Sequence, residues 1–151
     1  MINATAKTLI ETWRLGFVAS ADATGRVNLS PKGTFVVIDE RTLGFAEMRS
    51  PQTVANIRDR AEVEVNFVDI LTRKGARLRG AARIAEPGSD EFTALLPRFT
   101  QHWPDLQPMM NALVLIDVTD CKPLASPAYE AGASEDDLRA TWLNKINEAA
   151  R

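Results

Sequence analysis

A chain of 151 residues, 45% of them hydrophobic and 25% charged, reads as one globular domain able to bury a core. With 18 Lys and Arg against 20 Asp and Glu the formal charge is -2, so no net positive field draws the molecule to nucleic acid or an anionic membrane, and any anion site has to be local. One cysteine, Cys121, excludes an internal disulfide framework and a multi-cysteine metal site.

In chain order, MINATAKTLIETWRL has neither a basic leader nor an uninterrupted apolar stretch, so a cytoplasmic location and no spanning helix are expected. Ile2, Leu9, Ile10 and Trp13 recur at helical spacing, predicting a helix from about Ala4 to Arg14 with Asn3 or Thr5 as its cap. LGFVASA and RVNLS, joined by a turn through Asp22 and Gly25, read as a hairpin. TFVVIDE and TLGFAEM, joined at Glu40 and Arg41, read as a second. A helix over 51–59 follows, with Pro51 at its first position and Ser50 at the cap. AEVEVNFVDI and ARLRGAARIAE alternate as strands, SDEFTALLPRF is a short helix capped by Ser89 or Asp90, and ALVLIDVTD is one more strand. Ser134 opens the last helix, SEDDLRATWLNKINEA, whose acidic first turn suits the positive helix end. Pro97 to Gln107 and Lys122 to Ala133 lack periodicity and read as surface loops. Many short antiparallel strands with few helices point to a mainly β fold, a small barrel with flanking helices, in a single domain over 1–151.

Three polar clusters carry the candidate chemistry. At the start of the helix at 51, Arg49 stands beside the hydroxyls of Ser50 and Thr53 and the amide of Gln52, where free N–H groups and the helix dipole suit a phosphate. A capped helix with a solvated arginine accounts for the same local pattern. NLSPKG places Ser30, Lys32 and Gly33 at a strand end that Pro31 keeps from regular pairing, the mark of an edge or a bulge. Arg73, Lys74, Arg77 and Arg79 form the third. Arg77 and Arg79 share one strand face and call for an anion or a carboxylate opposite, or a solvated outer face. His102 has no Ser or Cys nucleophile signature nearby and reads as a surface or packing residue. Cys121 reads as a buried inert thiol, and Trp13 and Trp142 as core or dimer contacts. No side chain stands out as a catalytic nucleophile, acid or base.

The succession VNLSPKGTFVVID, TLGFAEMRSPQTVANIRDRAEVEVNFVD, RKGARLRGAARI resembles the pyridoxamine 5'-phosphate oxidase-like FMN-binding split barrels over about residues 8 to 86. The close of the chain is similar to a subgroup with a tyrosine-bearing loop and a tryptophan-bearing helix, for which Tyr129 is the landmark. The resemblance implies a homodimer of six-stranded antiparallel barrels with two FMN molecules in clefts between the subunits. It makes Asn28, Ser30, Pro31 and Lys32 candidates for ring and ribityl contacts, and Arg49, Ser50, Gln52 and Thr53 candidates for the phosphate. Asn56 matches a position shared by relatives and is expected to close its helix against a strand. Trp103, in a loop among prolines, is a candidate to cover a flavin edge. The implied activity is an FMN-dependent oxidoreductase acting on a small molecule, with NAD(P)H among the possible reductants. The acidic start of SEDDLRATWLNKINEAAR argues against pyridoxamine phosphate itself as substrate, because true oxidases of the family carry an arginine- and histidine-bearing segment there. A flavin- or ligand-binding barrel without turnover, a relative using F420 or haem, and a cofactor-free interaction module are the other readings.

Overall fold

The computed structural model describes residues 1–151, and seven strands make one antiparallel sheet in the order β2-β1-β5-β6-β7-β4-β3. They are β1 (Gly16–Ala21), β2 (Val27–Lys32), β3 (Phe35–Val37), β4 (Thr42–Glu47), β5 (Glu62–Val68), β6 (Lys74–Ala85) and β7 (Ala112–Ala125). The helices are α1 (Ala4–Trp13), α2 (Pro51–Asp59), α3 (Asp90–Thr100) and α4 (Glu135–Ala149), with a 3-10 helix over Pro104–Met109. The sheet curls into a half-barrel that leaves β2 and β3 as edges. It has seven strands where the resemblance implied six; the seventh, β7, is the run ALVLIDVTD, which pairs with both β6 and β4.

Local chemistry sets the turns and helix starts. Asp22 Oδ1 accepts from the amides of Thr24 and Arg26 at 2.9 and 3.0 Å, and Gly25 takes φ +89°, which completes the first hairpin turn. Asp39 does the same for the second, accepting from Arg41 and Thr42 N–H at 2.8 Å each. Asn3 and Ser89 cap α1 and α3 by accepting from Ala6 N–H at 2.9 Å and Phe92 N–H at 3.1 Å.

Two cores explain the sequence pattern. The larger lies inside the barrel, where Phe35, Phe45 and Phe67 meet edge to face and α1 plugs the opening with Ala6 and Ile10. The smaller lies on the far side of β4 and β7, where Ala46, Leu113 and Leu115 pack under Phe99 and Met110. Strands buried on both faces need no polar alternation, hence the unbroken ALVLI at the start of β7. On β6 and β5, solvated on one face, alternation is clean.

Three expectations change. β7 continues through Lys122–Ala125, part of the stretch read as loop, because a bulge at Arg79/Gly80 lets the two long strands stay paired as they bend. A side chain at Gly80 would strike the Asp117 carbonyl. Pro97–Phe99, where the helix and loop readings overlap, and Thr100, read as loop, form the last turn of α3, held down by fully buried Phe99. For Trp13 and Trp142, read as core or dimer contacts, the core alternative falls away: both are half-buried and belong to neither core.

Arginines cover the β3 edge. Arg14 Nη1 donates to Phe35 O at 2.7 Å, and Arg98 Nη2 reaches Val37 O and Ile38 O at 3.2 and 3.3 Å.

Candidate functional site

The end of β2 and the corner between β4 and α2 face one open cleft of about 570 Å³. Ser30, Pro31, Lys32 and Arg49 line it, with Gly33, Thr34, Ala46, Met48, Leu106 and Met109. Four of the eight residues singled out from the sequence are therefore brought together, although 17 positions of chain separate Lys32 from Arg49. Arg49 is exposed, and Lys32 is half-buried.

Lys32 Nζ donates to Ser30 Oγ at 2.9 Å and lies 5.7 Å from the centre of the Phe45 ring. Burial pulls its ammonium below the ordinary lysine value, and the Glu47 carboxylate opposes that by favouring the cation. Glu47, only 7% exposed, does not line the cleft. Its Oε1 accepts from Ser50 N–H at 2.6 Å and from Ser50 Oγ at 3.1 Å. Ser50 thus occupies the cap position of α2, but its hydroxyl is spent on Glu47 and no side chain caps the helix. With Pro51 lacking an N–H, the amides of Gln52 and Thr53 are the first that α2 carries, and neither residue lines the cleft.

The remaining candidates build the wall behind this corner. Asn28 Nδ2 donates to Thr53 Oγ1 at 3.2 Å, Gln52 Nε2 to Asn56 Oδ1 at 2.7 Å, and Asn56 Nδ2 to Ser20 Oγ at 3.1 Å. Thr53, Asn56 and Ser20 are buried. The ladder fastens α2 to β1 and β2 with each buried polar group satisfied, so Asn56 does close its helix on a strand, here β1.

The third cluster is absorbed by the protein itself. Arg79 makes a two-nitrogen contact to Glu64 Oε1 at 2.6 and 3.0 Å across the β5–β6 ladder, and Arg77 Nε donates to Asn66 Oδ1 at 3.3 Å. Lys74 pairs with Glu135 at 2.7 Å, and the Arg73 guanidinium stacks 3.3 Å from the centre of the Trp142 ring. His102 and Trp103 lie away from the cleft lining, beside Arg14, whose Nη2 is 3.4 Å from His102 Nε2 and whose guanidinium carbon is 5.4 Å from the Trp103 ring centre. Partial burial and Arg14 lower the His102 pKa. Burial raises that of the half-buried Cys121 thiol.

Sequence reasoning missed Met48, Leu106 and Met109 in the cleft and Glu47 behind it. Leu106 comes from the stretch read as loop and Met109 from just beyond it, and the pairing of β7 with β4 carries both to the corner. No group of three or more His, Cys, Asp or Glu is placed to hold a metal ion.

A family model described as pyridoxamine 5'-phosphate oxidase matches residues 2–119. The chain belongs to the pyridoxamine 5'-phosphate oxidase family. Among solved structures it is similar to HupZ of Group A Streptococcus, at 29% identity and TM-score 0.67 over 83% of this chain and 96% of that one. An FMN-binding protein from Syntrophomonas wolfei matches at 17% identity and TM-score 0.66, over 80% and 84% of the two chains. HutZ, a haem storage protein from Vibrio cholerae, matches at 13% identity and TM-score 0.65, over 82% and 94%. No curated protein matches the sequence significantly. Proteins named for FMN and for haem thus share the fold of this pyridoxamine 5'-phosphate oxidase family chain. No helix is long and apolar enough to cross a membrane.

Proposed function

We propose that the chain is an FMN-binding flavoprotein that serves as a cytoplasmic oxidoreductase on a small molecule, with the cofactor phosphate between Arg49 and Lys32. The observation that carries this reading is the meeting of those two cations with Ser30 in one open cleft, on a molecule whose net charge is -2. The donor set fits a phosphate: a guanidinium gives paired N–H donors and an ammonium gives a point charge. Arg49, exposed and without an internal ion pair, has its donors free for a ligand. Ser30 holds the Lys32 ammonium in place, and the nearby Glu47 carboxylate opposes the lowering that partial burial imposes on it. When bound, FMN supplies hydride-transfer chemistry, and the protein supplies orientation and electrostatics. His102, the single histidine, does not line the cleft, so the cleft offers no imidazole to a haem iron.

A homodimer is part of the proposal. Val27, Leu29 and Phe17 are 70, 63 and 44% exposed and share the outer face of β1 and β2, with Ala19 opposite Leu29 and Phe17 opposite Pro31. Such an apolar strip on a sheet face suits a second copy of the chain.

Absorption after loading with FMN and removal of the unbound portion tests the reading. Retained bands near ~370 and ~450 nm, as the oxidised flavin itself gives, are expected. Replacing Arg49 with Ala should weaken FMN binding by about 1.5–3 kcal/mol, while Arg139→Ala on α4 leaves it unchanged. A colourless protein that retains no FMN overturns the proposal.

A further inference from the structure

The cleft has a second chemical character. Beside its cations stand Met48, Leu106, Met109 and Pro31, three of them unbranched or flexible apolar side chains and two of them thioethers. Met109 is 43% exposed, whereas the next residue, Met110, is 6% exposed and sits in the smaller core. A methionine left open to solvent beside a buried one is not there to fill the core.

The segment that carries it is held firmly. Pro104 and Pro108 restrict the backbone of the 3-10 helix, and Leu106 packs against the cluster of Phe99 and Met110. Just beyond the helix, Asn111 bolts it to the basic corner: its N–H donates to Glu47 O at 2.9 Å and its Nδ2 to Met48 O at 2.8 Å. The thioether of Met109 and the guanidinium of Arg49 are therefore mounted on parts of the backbone joined by two hydrogen bonds.

We infer that Met48, Leu106 and Met109 form a recognition wall for the flat ring of the ligand, with Met109 the residue that sets how tightly the ring is held. The wall and the cations together select a planar heteroaromatic system joined to an anionic group. Thioether sulfur is polarisable and makes favourable contacts with aromatic rings, and an open, unbranched side chain adapts to a ring laid against it. This inference rests on the flavin reading above and assigns the ring end of that site.

Titrating the full-length protein with FMN, with riboflavin, and with inorganic phosphate as a competitor of FMN separates the two ends. Met109→Ala should weaken FMN and riboflavin by the same factor, about fivefold to tenfold, the value expected for losing part of an apolar side-chain contact. Phosphate should compete as in the wild type. Arg49→Ala should weaken FMN and phosphate but leave riboflavin unchanged, and in the double variant the two factors for FMN should multiply. Met109→Leu, which keeps the apolar volume, should stay within about twofold of wild type for both flavins. Should the alanine variant fold poorly, Met109→Gln, of equal length but polar, should show the same equal losses. The wall is overturned if these variants leave riboflavin affinity unchanged, or if they weaken FMN and phosphate while sparing riboflavin. Wild-type protein that binds neither flavin overturns the cofactor reading and the wall together, whereas wild-type binding that survives Met109→Ala overturns the wall alone.

Discussion

The helices at the two ends of the chain, α1 and α4, are held by different forces. α4 has the stronger local signals: Ser134 and Asp137 form a reciprocal capping box, the first turn is acidic, and Arg139 pairs with Glu135 one turn away at 3.0 Å. None of its residues is buried. It is attached by the Arg73–Trp142 stack, by Lys74 to Glu135 at 2.7 Å, and by Tyr129 donating to Thr72 O at 2.6 Å just before it. α1 has one capping bond and no ion pair within its length, yet it buries Ala6 and Ile10 in the main core. Caps and charges decide where a helix begins; apolar burial decides whether the rest of the fold depends on it.

The largest test of this contrast is Ile10→Ala. Ile10 is fully buried, so the loss of its side chain should cost about 2–5 kcal/mol in a denaturant titration. Trp142→Ala should cost about 0.5–2 kcal/mol, with faster amide exchange in α4 and little change at β5 and β6. Equal losses from the two substitutions would erase the distinction. Ser134→Ala should cost about 0.5–1 kcal/mol of α4 helicity, read by circular dichroism, and leave the midpoint of the sheet transition unmoved.

Acid should give the smallest effect, confined to α4. The carboxyl of Glu135 lies below its ordinary value mainly through the hydrogen bond from Lys74, and that of Asp137 through the backbone N–H of Ser134. Both folded values are depressed, so their contribution is complete above the ordinary carboxylate range of about 4 and is lost as pH falls through the folded values. Amide exchange should therefore speed up in α4 at acid pH before it does in the core, and simultaneous loosening would contradict the comparison.

Much of the architecture was legible because it was written in short-range chemistry. The alternation of EVEVNFV and ARLRGAARI placed β5 and β6, Asp22 with Gly25 placed a turn, and Asn3 or Thr5, Ser89 or Asp90, and Ser134 marked three helix starts, of which Asn3, Ser89 and Ser134 carry the capping bonds. Within the candidate site, Ser30, Pro31, Lys32 and Arg49 could be picked out as polar groups at strand and helix ends. What escaped depends on pairing across long stretches of chain. The Ser50 hydroxyl looks like a helix cap until the buried Glu47 carboxylate takes it. Met109 falls between the predicted loop and the predicted strand, with nothing to place it until Asn111 docks on the end of β4. Pro97 stands where the helix and loop readings overlap, and burial of Phe99 two residues later decides for the helix. Lys122 and Pro123 look like loop because the bulge that keeps β7 in register lies on the other strand, at Arg79 and Gly80.

The arginines over β3 also govern how the sheet can grow. Guanidinium groups from Arg14 and Arg98 occupy the Phe35 and Val37 carbonyls that an incoming strand would need, which leaves β2 as the terminal strand of the sheet to which a foreign backbone can add. A sheet with one sticky edge cannot chain head to tail. If it joins another copy through its terminal strands, β2 must meet β2, and that reaction terminates at two molecules instead of propagating as a fibre.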